Sequence, residues 1–103
     1  MDAEIKAKWV AALRSGEYQQ GQGMLRLDGE FCCLGVLCDV SGIGKWTSTY
    51  CYMYGAGDIE ETCLPMSLRD RLGVGPDQEV HLMNMNDGGE NFAGIADYIE
   101  EHL

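Results

Sequence analysis

The residues of this chain best suited to metal ligation or nucleophilic attack are five cysteines, Cys32, Cys33, Cys38, Cys51 and Cys63, and two histidines, His81 and His102. Their spacing favours neither chemistry. Structural zinc sites present ligand pairs two to four positions apart, whereas here the near cysteines are adjacent or separated by four residues. Adjacent side chains in regular structure diverge. A nucleophilic thiol needs a basic partner and a polar, reachable setting, yet Cys32, Cys33 and Cys38 sit among Phe, Leu and Val, which raises a thiol's pKa. The expectation is reduced, buried thiols that act as small apolar groups, with no metal ligand and no catalytic residue assigned.

Other polar groups allow weaker chemistry. The stretch Asn86-Asp87-Gly88-Gly89-Glu90-Asn91-Phe92 is placed like a phosphate cradle between a strand and a helix, but it has no lysine, and its acids repel phosphate. Its oxygens could hold a divalent cation, without the regular spacing of a calcium loop. The commoner role of such a loop is a tight turn whose Asn and Asp bond local backbone. Gln19 to Gly23 could contact a ligand, but a solvated loop is the commoner role of such a stretch. Arg26, Arg69 and Arg71 are scarce cations, expected to pair with neighbouring carboxylates. Tyr50, Tyr52 and Tyr54 fall on one face of a strand read over Thr47–Tyr54, either covering a helix or offering a stacking surface. As candidate ligand contacts these tyrosines stand with Asn86 and Asp87.

The formal net charge of −10 bounds the partners. A body this acidic is repelled by nucleic acid and by anionic membrane, and is drawn to basic protein surfaces. Solubility alone also accounts for such a charge. The acids expected on exposed elements, and so the candidates for partner binding, are Asp58, Glu60 and Glu61 on a loop and Asp97, Glu100 and Glu101 on the last helix. No cofactor is expected. No apolar run reaches the roughly 18 residues that span a bilayer, and Met1-Asp2-Ala3-Glu4 lacks the plan of a signal peptide. The expected location is cytoplasmic.

The elements that must position these groups follow from periodicity. The 103 residues, 46% hydrophobic, suit a single globular domain over 1–103. Residues 2–15 read as a helix capped by Asp2, with Ile5, Trp9, Ala12 and Leu13 on one stripe and Ser15-Gly16 as its stop. Met24 to Cys32 reads as a hairpin around Asp28-Gly29, a pair that supplies the two positive φ angles of a tight turn. The run Phe31–Asp39, Phe-Cys-Cys-Leu-Gly-Val-Leu-Cys-Asp, has no wet face before Asp39, so a helix from about Cys33 to Ser41 is expected to be buried all round. Gly35 within it implies close approach by a neighbouring backbone. Gly55–Thr62 reads as a loop, Leu64–Gly73 as a short helix, Glu79–Met83 as a last strand, Asn84–Asn91 as a polar loop, and Phe92–Leu103 as an amphipathic helix capped by Asn91. The predicted fold is α+β, about four short helices on a three- to four-stranded, largely antiparallel sheet.

Several of these segments also carry a resemblance. Lys8-Trp9-x-x-Ala12-Leu13-Arg14-Ser15-Gly16-x-Tyr18-x-Gln20-Gly21, the Phe31–Asp39 motif, Leu64-Pro65, Leu72-Gly73-Val74, Asn86-Asp87 and Phe92-x-x-Ile95-Ala96-Asp97-x-Ile99-Glu100 together resemble a group of small bacteriophage- and prophage-encoded proteins of unassigned function. The resemblance supplies a genetic setting and no catalytic residue. That setting implies a small, non-enzymatic protein that binds a host protein, such as an inhibitor of an anti-phage defence or nucleic-acid-handling component, CRISPR-Cas included. Combined with the charge, it implies a monomer or homodimer that occupies a basic surface in the host cytoplasm. The alternative is a small module for a nucleotide, signal molecule or metal.

Overall fold

An apolar run without a wet face has to be packed from every side, and the chain is arranged to do that. The computed structural model describes residues 1–103. Its helices are α1 (Ala3–Ser15), α2 (Cys33–Ser41), α3 (Met66–Leu72), α4 (Pro76–Asp87) and α5 (Phe92–His102). Its strands are β1 (Gln19–Gln20), β2 (Arg26–Leu27), β3 (Glu30–Phe31), β4 (Lys45–Trp46), β5 (Tyr52–Tyr54) and β6 (Asp58–Glu60). The fold is α+β, as the sequence predicts, with one helix more than expected and two small sheets in place of one. Sheet order is β1-β3-β2 and β4-β5-β6, antiparallel except where β1 runs parallel to β3.

Cys33 to Cys38 are all buried, which bears out the reading of the central run. Trp9 from α1 is fully buried and donates its indole N–H to the Cys33 carbonyl at 2.9 Å. Leu82 from α4 and Phe92, Ile95 and Ile99 from α5 complete one hydrophobic cluster that extends from Trp9 to Ile99. The close approach implied by Gly35 is to Leu25: a methyl group on Gly35 would overlap the Leu25 carbonyl oxygen. That carbonyl also accepts the Cys32 N–H at 3.3 Å. The hairpin leading there has positive φ at Asp28 (54°) and Gly29 (81°), as its Asp-Gly pair requires. Asp2 and Asn91 cap α1 and α5 as read, each through its side-chain oxygen.

Four local readings are corrected. Glu79–Met83 is not a strand but part of α4, and so are Asn84–Asp87, read as the start of a polar loop, which leaves only Gly88–Asn91 as the turn into α5. Pro76 suits a first helical turn, and Gly75 N–H is held by the Gln78 side chain at 2.9 Å. The inward positions of that helix are Glu79, Leu82 and Asn86, two of them polar, so no apolar stripe marks the helix in the sequence. Thr47–Tyr54 is a strand only over its last three residues. The Ser48 hydroxyl accepts the N–H groups of Tyr50 and Cys51 and turns the chain. Tyr52 is therefore core, Tyr54 half-buried and Tyr50 exposed, and no continuous tyrosine face exists. Within Gly55–Thr62, read as a loop, Asp58–Glu60 forms strand β6.

The arginine reading holds for one of three. Arg69 reaches the buried Glu79 at 3.4 Å, whose other oxygen accepts the Leu64 N–H at 2.9 Å, so the pair joins α3 to α4. Arg26 instead lies 4.0 Å over the Trp46 ring and donates to the Thr49 and Ser48 carbonyls. Arg71 donates to the Tyr54 hydroxyl at 3.0 Å.

Two substitutions probe the central helix. Leu37→Ala should cost about 2–5 kcal/mol in urea unfolding, as cavity-forming changes do. Gly35→Ala ought to gain up to about 1 kcal/mol on helix propensity alone. The overlap with Leu25 reverses the sign, and we expect a net loss; a variant as stable as the parent would refute the close-approach reading.

Candidate functional site

The one side chain that draws separate parts of the chain into a polar cluster is Asn86. It is fully buried near the end of α4, and every polar atom of it is engaged. Its Oδ1 accepts from Gln20 Nε2 at 3.0 Å and from the Cys33 N–H at 3.2 Å. Its Nδ2 donates to the Gly21 carbonyl at 2.8 Å and lies 3.4 Å from Asp87 Oδ1. Its backbone carbonyl accepts from Gln22 Nε2 at 3.3 Å. Asp87 accepts the Gly23 N–H at 2.9 Å, and Gln20 reaches on to the Glu90 carbonyl at 2.7 Å. The loop after β1, read as solvated, is thus held by the end of α4, and a buried amide with all its bonds made is a rigid anchor.

What this anchors is the wall of an open cleft of about 490 Å³, lined by Gln20, Gly21, Gln22, Glu30, Gly89 and Asn91. No lining residue is apolar. A smaller notch shares Gly21, Gln22 and Glu30 with the cleft and continues past Met24, Leu27 and Asp28. Leu27 is 45% exposed there. Glu30 lines both and Asp28 the notch, while Asp87 and Glu90 lie on flanking segments, the Glu90 carboxylate against Gly94 of α5; all four are exposed and have no lysine or arginine within ion-pair distance. Carboxamides and carboxylates in a wet cleft can bind hydrogen-bond donors and cations. They supply no nucleophile.

The sequence-derived candidates are distributed differently from one another. Asn86 is spent inside the fold, and Asp87 holds Gly23. Asp97 and Glu100 are both gripped by Arg14 from α1, at 2.6 and 2.9 Å, and Lys6 donates to the Glu100 carbonyl. Glu101 projects beside His102. Asp58 accepts both the N–H and hydroxyl of Ser67 at the start of α3, and Glu60 accepts from the Cys63 thiol. Glu61 is exposed, and only its backbone is engaged, by the Leu25 N–H at 2.7 Å. The tyrosines divide between core and surface as described. The cleft itself draws on Gln20, Gln22 and Glu30, which lie 59 to 71 residues from Gly89 and Asn91 in the chain. Only the three glutamines between glycines hinted at it.

The thiols are chemically quiet. Burial pushes Cys32 up to about 11, and Cys33 and Cys38 well above the ordinary 9.0. Cys63, less buried, also rises to about 11, through desolvation and then the charge of Glu60. Cys32 uses its sulfur to cap α2, accepting the Gly35 N–H at 3.4 Å. No group of three His, Cys, Asp or Glu side chains converges to hold a cation. Both histidines stack on Tyr98, with ring centroids 4.7 and 4.6 Å away. No helix is long and apolar enough to cross a membrane.

Residues 1–65 match the family described as "Domain of unknown function (DUF8296)", and the chain belongs to that family. No curated protein and no solved structure matches it. The matched span contains α1, α2, both sheets and the glutamine side of the cleft; Asn86 and the Gly89–Asn91 side lie beyond it.

Asn86→Ala strands Cys33 N–H and the Gly21 carbonyl, and should cost about 1–3 kcal/mol or more in unfolding experiments. Asn84→Ala, on an exposed position of the same helix, should cost far less. The thiols predict an alkaline limit. The native state keeps its buried thiols protonated above the pH at which the unfolded chain loses them, so stability should fall as pH rises from about 9 towards 11. Melting curves across that range, with the buried thiols resistant to a disulfide reagent until unfolding, are the measurement.

Proposed function

We propose that this family member is a non-enzymatic binding protein that engages a partner through the partner's basic surface. The observation that carries this reading is the distribution of charge. Seventeen acids face seven lysines and arginines. Only Glu4, Asp70, Glu79, Asp97 and Glu100 lie within ion-pair distance of one of those cations. Asp97 and Glu100 of α5 are countered by Arg14 of α1, whereas Glu101, the acids of the β2–β3 hairpin, the α4–α5 turn and β6, and Asp2, Glu17, Asp39 and Asp77 have no lysine or arginine within ion-pair distance. Those surfaces carry the attractive potential, which steers a basic partner and repels nucleic acid.

The resemblance to small phage-encoded proteins supports a narrower form. In it the partner is a host anti-phage defence or nucleic-acid-handling protein, a CRISPR-Cas component for example, met in the host cytoplasm. A compact acidic body would inhibit it by filling the groove meant for nucleic acid. The small-ligand alternative has less behind it, because Tyr52 is core and Asn86 has no free atom to offer.

The test is binding to a panel of purified host nucleic-acid-binding complexes, with rates followed as salt rises from about 0.01 to 1 M. Over that range the screening length contracts from about 30 to about 3 Å. Association should slow steeply with salt. Neutralising Asp58, Glu60 and Glu61 as one set, or Glu30, Asp87 and Glu90 as another, should slow it at low salt for the set that faces the partner. Neutralising Asp97 and Glu100 should change it little, since Arg14 already counters them. Salt-independent association, or equal rates for all three sets, would remove the electrostatic reading.

A further inference from the structure

Resting on the reading above, we propose that the cleft between the β1 loop and the α4–α5 turn, with its adjoining notch, receives an extended arginine- or lysine-bearing segment of the partner protein. The inference starts from the lining. Gln20 and Gln22 spend their amide N–H groups on Asn86 and Glu90, so their carbonyl oxygens are left as acceptors at the cleft wall. Asn91 does the reverse: its Oδ1 takes the Gly94 N–H and its amide donors remain. A wall with acceptors on one side and donors on the other matches the alternating N–H and C=O groups of a polypeptide in extended form.

The remaining features add direction. Glu30 lines both the cleft and the notch, and so stands where a guanidinium or ammonium group in either could reach it. Asp28 at the hairpin turn lines the notch with no lysine or arginine within ion-pair distance, the hairpin's own Arg26 being held over the Trp46 ring. In the notch, Met24 and the exposed Leu27 offer an apolar contact beside these acids. A segment with alternating basic and apolar side chains is complementary to that sequence of surfaces, with the main chain on the amides. Strand β1 is an edge strand of its sheet, so no neighbouring strand obstructs the approach. The wall is also rigid before any partner arrives, because Asn86 and Asp87 hold Gly21 and Gly23 in place. Binding then costs little ordering on this side.

The experiment titrates isotope-labelled protein with three probes: a short peptide of alternating arginine and leucine, the same peptide with glutamate for arginine, and spermidine. Amide shifts are followed by NMR. The basic peptide should move Gln20–Gln22, Leu27–Glu30 and Gly89–Asn91, and the acidic peptide should move nothing. Glu30→Gln and Leu27→Ala, both at exposed positions, should melt like the parent and should each weaken the basic peptide several-fold. Basic-peptide binding that maps to Asp58–Glu61, with Glu30→Gln at parental affinity, overturns the cleft while leaving the basic-partner reading standing. So does a failure of the basic peptide to bind while a salt-sensitive partner is still found in the panel. Equal binding of spermidine at the cleft overturns the segment in favour of a free polyamine.

Discussion

The backbone of Leu25 lies against Gly35, and much of the fold depends on that one contact. Its carbonyl sits where a side chain on α2 would otherwise be, and accepts the Cys32 N–H at the entry to that helix. Its N–H donates to the Glu61 carbonyl at 2.7 Å, across to the segment leaving β6. The backbone of one residue therefore joins the hairpin, the central helix and the segment leaving the second sheet. Because α2 has no wet face, it needs cover on the side away from α1 and α4, and at Gly35 the Leu25 backbone comes too close to leave room for a side chain. The fully buried Leu25 side chain adds its own area to the same core.

A second constraint, the buried Asn86, ties this core to the polar surface. An asparagine at a core position stabilises less than a leucine would by burial, and it is tolerated because all of its hydrogen bonds are made. In return it fixes the loop after β1 against the end of α4 and supplies a partner to the first N–H of α2. The cleft is a consequence of that arrangement: glutamine side chains that would otherwise be solvated are drawn inward, and the glycines between them let the chain pass close to Glu30. At Gly21 a side chain would press on the Glu30 Cβ at 2.8 Å.

Elements whose periodicity matches their burial were legible in the sequence. The first and last helices, their caps, the Asp-Gly hairpin and the central run are of this kind, and so is the α+β class. Where burial and polarity disagree, the sequence misleads. The α4 helix presents Glu79 and Asn86 to the interior, so its inward face carries no hydrophobic repeat, and Glu79–Met83 alone alternates like a strand. The tyrosines at 50, 52 and 54 alternate too, yet Ser48 bonds to the backbone and ends the extended run before Tyr50 can join it. The cleft could not be read at all. Its two sides are brought together by hydrogen bonds of a buried amide, and nothing in local pattern reports a contact across sixty residues.

The cations explain why the acidic surplus persists on the surface. Seven lysines and arginines could offset a good part of seventeen acids, but several are committed elsewhere. Arg26 lies flat on Trp46 and orders the Ser48–Thr49 turn; Arg71 serves the Tyr54 hydroxyl; Arg69 is turned inward to Glu79. Arg14 and Lys6 are taken by α5. Arginine is suited to these tasks because its planar group stacks and donates in several directions at once. Each such use holds two elements together and keeps the cation out of ion-pair reach of the acids at the hairpin and the α4–α5 turn. The acids around the cleft are thus left unopposed by the same contacts that hold the fold together, and a cation for them has to come from outside the chain.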